Sequence, residues 1–156
     1  ASPAPTKYES TFTKQGFDDF ELERKNLQKT RISAVKELTR AREMGDLSEN
    51  AAYRVARSKL SRVDSRLRYL DRILKNAKVV QLSTDGFIDI GSMVVISGGK
   101  EERKIQLVDG YESDIMKGKI SVYSPIGKEL WGKRKGDKIV ILIPTGQVTY
   151  TILSIT

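Results

Sequence analysis

Residues 45–53 read Gly-Asp-Leu-Ser-Glu-Asn-Ala-Ala-Tyr, and they interrupt a stretch, 13–78, that has no Pro and only one other Gly, at 16. Gly suits the position just past a helix end. Asp46, Ser48 and Asn50 are each able to cap a following helix. The pattern therefore stops one helix near 45 and starts another within a few residues. Downstream, Tyr53, Ala56, Leu60, Val63, Leu67, Leu70, Leu74 and Ala77 are spaced 3-4-3-4-3-4-3, an unbroken apolar heptad seam. Upstream, Phe20, Leu27, Ala34, Leu38 and Ala41 fit a second seam, which Arg24 and Arg31 interrupt and which Ile32 and Val35 widen. Two seams joined by a short polar break predict an antiparallel coiled-coil hairpin turning at 45–49. A single extended coil of two chains is the alternative. With arms of about 30 residues, the hairpin reaches about 45 Å.

The charge pattern adds to this. From Arg54 to Lys78 there are nine basic residues against Asp64 and Asp71, a local excess of +7 within a chain of net charge +8. Exposed coiled-coil faces usually mix signs. This one suggests contact with phosphates through Arg54, Arg57, Arg62, Arg66 and Arg68. Tyr69 is able either to stack on a base or to pack beside the seam.

At the turn, Asp46 and Glu49 are three apart and can point the same way. Two carboxylates without His or Cys suit a hard cation such as Mg²⁺. They cannot fill six oxygen positions alone. The same pair is also what a helix start needs: an acidic cap, with a second carboxylate in the first turn. Both readings remain open on spacing.

The chain has 156 residues and neither Cys nor His. That removes a disulfide framework, the usual zinc ligands and a Ser-His-Asp arrangement. No apolar run approaches the roughly 18 residues of a membrane span. The opening Ala-Ser-Pro-Ala-Pro-Thr-Lys does not read as a signal peptide. It reads as a disordered lead or an expression scar. Beyond Thr84-Asp85-Gly86, short β-prone runs are predicted at 93–97, 102–108, 119–122, 138–143 and 147–153. Gly98-Gly99, Asp109-Gly110 and Thr145-Gly146 supply turns between them. One short helix is predicted, with Ser124 as cap, Pro125 at its first position and Gly132 past its end. Leu130 reads as core. Trp131 reads as core or as a partner anchor.

Two stretches then carry a resemblance. Gly-Asp-Leu-Ser-Glu-Asn-Ala-Ala-Tyr at 45–53 and Gly-Lys-Ile-Ser-Val-Tyr-Ser-Pro-Ile-Gly-Lys-Glu-Leu-Trp-Gly-Lys at 118–133 resemble the tip and C-terminal signatures of the bacterial Gre transcript-cleavage factors. Residues 65–70 look more like GreB. Leu47 and 118–121 look more like GreA. The resemblance implies an α+β fold, with the N-terminal coiled-coil hairpin followed by a small FKBP-like antiparallel sheet domain with one short helix. The expected divisions are a lead at 1–12, the hairpin at 13–80 with its acidic tip at 45–50, a linker at 81–90 and the sheet domain at 91–156.

The resemblance also implies a function. The sheet domain docks at the rim of the secondary channel of bacterial RNA polymerase, through Ser124, Pro125 and Ile126. The hairpin enters the channel, where Asp46 and Glu49, with Ser48 beside them, share a Mg²⁺ with the polymerase. The polymerase then cleaves backtracked RNA, whose 3′ segment lies near the basic arm. The factor is expected to be a cytoplasmic monomer, away from membranes. It is expected to bind no cofactor alone and to be no enzyme by itself. A Gre-like inhibitor, a metal-free nucleic-acid-binding hairpin and a stand-alone prolyl isomerase are the rival readings.

Overall fold

The computed structural model describes residues 10–45, 50–81 and 85–156. Two compact units result, one formed by 18–76 and the other by the chain up to Phe17 together with 77–156.

The first unit is the helical hairpin. Helix α1 spans Lys14–Arg42 and α2 spans Ala51–Lys75. Ion pairs Arg24–Asp71, Arg31–Asp64 and Glu37–Lys59 step in opposite directions along the two helices, so the pair is antiparallel. The heptad reading of α2 holds: Ala56, Val63, Leu67, Leu70 and Leu74 are buried, joined by Ile73. On α1, Ala34 and Ala41 are buried, and Phe20, Leu27 and Leu38 are half-buried. The two basic interruptions of that seam have a clear role. Arg31 and Arg24 reach across the hairpin to Asp64, at 2.6 Å, and to Asp71, at 3.6 Å. Arg24 is also held within its own helix by Glu21, at 2.8 Å, so the Arg31–Asp64 pair is the one that slippage would break, and polar seam pairs of that kind fix register. Ile32 and Val35 do not widen the stripe as expected. They are 61% and 38% exposed, because the seam is narrower than the α1 sequence suggested.

The second unit is a five-stranded sheet in the order β5-β4-β3-β7-β6, formed by β3 (Met93–Gly98), β4 (Glu101–Val108), β5 (Lys119–Ser121), β6 (Lys138–Ile143) and β7 (Gly146–Ile155). Helix α3 (Pro125–Leu130) lies in the connection from β5 to β6. Pairing is antiparallel, as expected, except that β4 and β5 run parallel. Two 3₁₀ turns, at Gly110–Glu112 and Ile115–Lys117, lie between β4 and β5. Asp109-Gly110 thus starts a 3₁₀ turn, with the Asp109 side chain capping it, and is not a hairpin turn. A core of Ile88, Val94, Ile96, Ile105, Leu107, Leu130, Ile139 and Ile152, among others, fills one side of the sheet.

Two boundaries differ from the sequence reading. Ser10–Phe12, within the stretch expected to be a lead, form a buried strand β1 that pairs in parallel with β2 (Ala77–Val79). Helix α2 therefore stops at Lys75, capped by Asn76, and Ala77 leaves the heptad seam for a strand. The expected linker also shortens, because Phe87 bridges to Arg134 and Ile88 and Ile90 enter the core.

The start of α1 is held by two buried carboxylates. Glu112 accepts from the Thr13 backbone N–H at 2.7 Å and from the Thr13 hydroxyl at 2.6 Å. Asp109 accepts from the Thr11 N–H at 3.1 Å. The Thr13 hydroxyl in turn accepts from the Gly16 N–H at 3.0 Å, capping the helix. A Cβ on Gly16 would collide with the Glu112 carboxylate, so glycine permits the close approach.

Candidate functional site

The hairpin turn is described up to Gly45 and from Asn50 onward. Asp46, Ser48 and Glu49 lie outside the described residues. Gly45 has φ +122°, the backbone freedom expected just past a helix. Asn50 is the N-cap of α2. Its side-chain oxygen accepts from the Tyr53 N–H at 3.0 Å, and its amide nitrogen donates to the Ala41 carbonyl at 2.6 Å. The Arg42 guanidinium lies 5.9 Å from the centre of the Tyr53 ring. Beside the turn, Met44 and Val55 are 73% and 68% exposed, on a shallow apolar cleft that Ala41, Ala52 and Ala56 also line. Among the described residues, no group of three or more His, Cys, Asp or Glu side chains is placed to hold a metal. No helix among them is long and apolar enough to cross a membrane.

The basic arm resolves into two sets of residues. Arg66 makes two hydrogen bonds to Glu23, at 2.6 and 3.0 Å, and that partner raises its already high pKa. Lys59 is held by Glu37 at 2.9 Å. The Arg66 and Arg72 guanidiniums lie 5.1 and 5.3 Å from the centre of the Tyr69 ring, both within cation–π distance. On the outward side, Arg54, Arg57, Ser61, Ser65, Arg68, Arg72 and Lys75 are all exposed and recur at spacings of three and four. The helical period places them on one stripe opposite the buried seam. No acidic residue interrupts that stripe. Arg62 is exposed beside it. Arg54, Arg57 and Arg62 have no ion pair among the described residues. Four of the five arginines expected from sequence are thus presented outward, Arg66 is committed to Glu23, and Arg72 and Lys75 extend the stripe. The Arg66–Glu23 pairing was hidden in sequence, since Glu23 lies 43 residues away.

In the sheet unit, Ser124 caps α3. Its hydroxyl accepts from the Gly127 N–H at 3.1 Å and donates to the Ser121 carbonyl at 2.7 Å. Pro125 is exposed at the first helical position, and Ile126 is half-buried against the core. Neighbouring Tyr123 is 52% exposed. Burial raises the Tyr123 phenol above its ordinary pKa, with smaller contributions from the Asp109 carboxylate and from Tyr111. Trp131 packs against the core, and its indole N–H donates to Asp89 at 3.0 Å. The site residues 124–126 therefore sit on a turn whose backbone is already fixed by internal hydrogen bonds.

A basic-faced helical hairpin joined to a small sheet unit defines a class of two-unit proteins, and both units match known families. Residues 10–79 match the family described as transcription elongation factor, N-terminal, and 83–156 match transcription elongation factor, GreA/GreB, C-terminal. The chain is 38% identical over 146 residues to transcription elongation factor GreA of Thermosipho melanesiensis, covering 92% of this chain and 94% of that one. It is 37% identical over 147 residues to GreA of Paracoccus denitrificans, with 92% and 94% covered. The crystal structure of GreA factor homolog 1 of Thermus thermophilus is 26% identical, covers 95% of this chain and 99% of its own, and aligns with a TM-score of 0.46. This chain belongs to the GreA/GreB family of transcription elongation factors.

Proposed function

We propose that this chain binds bacterial RNA polymerase at the rim of its secondary channel and stimulates cleavage of backtracked RNA by the polymerase active site. The observation that supports this best is the position of Asp46 and Glu49. They lie in sequence between two antiparallel helices, where an inserted hairpin presents its end. The donor set suits the chemistry: two carboxylates, in a chain without His or Cys, are hard oxygen ligands for Mg²⁺. Asp46 and Glu49 would contribute two of the six oxygens, leaving the others to the polymerase, the RNA phosphate and water. A metal so held would polarise the phosphate and lower the pKa of the attacking water.

The other residues act on placement. Arg54, Arg57, Arg62 and Arg68 offer positive charge along the hairpin to the extruded 3′ segment of the RNA. Ser124 and Pro125, on their fixed turn, offer the rim contact, with Ile126 supporting the turn from below. Ser48 adds a hydroxyl beside the carboxylates. The chain brings ligands and position while the polymerase brings the remaining machinery, so the chain alone is expected to cleave nothing.

The test is to add the purified chain to a stalled, backtracked elongation complex and follow the labelled RNA. Release of 3′ fragments well above the polymerase-alone rate is expected. Competition for the polymerase without fragment release would favour the inhibitor reading. Absence of binding would return the chain to a nucleic-acid-binding hairpin.

A further inference from the structure

Asn50 is the one described side chain that bonds to both sides of the hairpin turn. Its oxygen accepts from the Tyr53 N–H in the first turn of α2. Its nitrogen donates to the carbonyl of Ala41, in the last turn of α1. The Ala41 carbonyl also accepts from the Met44 N–H at 3.2 Å, so both of its lone pairs are used. One partner is a donor and the other an acceptor, which fixes the orientation of the amide. Capping alone does not need the second bond, because Asp caps a helix about as well as Asn. The Asn50 carboxamide does both at once, capping one helix through its oxygen while donating to the end of the other through its nitrogen, which a carboxylate cannot do.

We propose that Asn50 is a positioning residue: by tying Ala41 to the start of α2, it sets the separation of the two chain ends from which Asp46 and Glu49 are presented. The inference rests on the reading that those carboxylates hold the cleavage metal. Pre-organisation of this kind acts on the energy of bringing two ligands to one ion, and hence on how much metal the reaction needs.

The experiment compares Asn50→Asp and Asn50→Gly with wild type and with Asp46→Asn. Asn50→Asp keeps the cap and loses the donor. Its extra negative charge would by itself lower the Mg²⁺ requirement, so a raised requirement is not a charge effect. Asn50→Gly adds no charge and weakens the cap only slightly. Three quantities are measured: amide hydrogen exchange of the free protein, competition for the polymerase, and the Mg²⁺ dependence of RNA cleavage. In both variants, exchange at residues 43–45 and 50–53 is expected to rise while that at 60–74 stays at wild type. The Mg²⁺ needed for half-maximal cleavage is expected to rise about fivefold, the factor one hydrogen bond is worth in an equilibrium. Polymerase competition should not change. Wild-type exchange and Mg²⁺ dependence in both variants, with Asp46→Asn defective, would overturn the positioning role. A loss of cleavage that only follows a loss of helix stability would also overturn it. If Asp46→Asn cleaves normally as well, the metal reading itself fails and the positioning role falls with it.

Discussion

Glu112 and Gly16 show how a single contact anchors a helix start. The carboxylate accepts two hydrogen bonds from Thr13 while buried, and it fits only because Gly16 has no side chain. Gly16→Ala should therefore destabilise the sheet unit by about 1–3 kcal/mol, the usual cost of overpacking, despite the better helix propensity of Ala. Most of that cost should vanish in a Glu112→Ala background, since the colliding atoms are then gone. Trp131 is the sole Trp and packs within the sheet unit, so its fluorescence reports that unit's unfolding in denaturant. Strictly additive effects of the two substitutions would contradict the contact. None of this was legible in sequence. Glu112 reads as an ordinary surface carboxylate, and only the fold brings it to Thr13, 99 residues away. Ser124, Pro125 and Gly132 were legible, because capping, proline and left-handed glycine preferences act within a few residues.

At the scale of elements, α2 has two faces with different tasks. Leu70, fully buried on the seam, should cost about 2–5 kcal/mol on substitution by Ala, while Ile32→Ala on the exposed side of α1 should stay within about 0.5 kcal/mol. Helical circular dichroism during thermal unfolding measures both. Comparable losses would mean that the apolar stripe on α1 is as wide as its sequence suggests. On the outward stripe, Arg54→Glu, Arg57→Glu and Arg68→Glu together should reduce crosslinking to the RNA 3′ segment and flatten its dependence on salt. Arg66→Glu should act chiefly by placing a second carboxylate opposite Glu23. Unchanged crosslinking by the triple variant at every salt concentration would make the stripe an ordinary solvated face. The seam of α2 and all five strands of the main sheet were legible because their periodicity and turn residues are local signals. Strands β1 and β2 were not. Three residues carry no measurable period, and their pairing partners are 67 positions apart. The cross-hairpin ion pairs were missed for the same reason: Glu23 and Glu37 acquire partners only once the antiparallel register is known.

At the scale of the whole molecule, this member of the GreA/GreB family of transcription elongation factors has a hairpin unit and a sheet unit. Under the proposed function, cleavage by the polymerase would depend on Asp46 and Glu49. The most direct measurement of that claim uses the double variant Asp46→Asn/Glu49→Gln, which keeps size and hydrogen-bonding capacity and removes the charge. A cap is nearly indifferent to this change, since Asn and Asp cap alike. A Mg²⁺ ligand set is not, since charged oxygens are lost. Cleavage rate on a backtracked complex is measured across a Mg²⁺ titration, with polymerase competition measured alongside. The expected result is a fall in cleavage on the order of a hundredfold or more, partly recovered at high Mg²⁺, with polymerase binding unchanged. Near-normal cleavage by a folded, polymerase-binding double variant would contradict the metal role and leave Asp46 and Glu49 as helix caps.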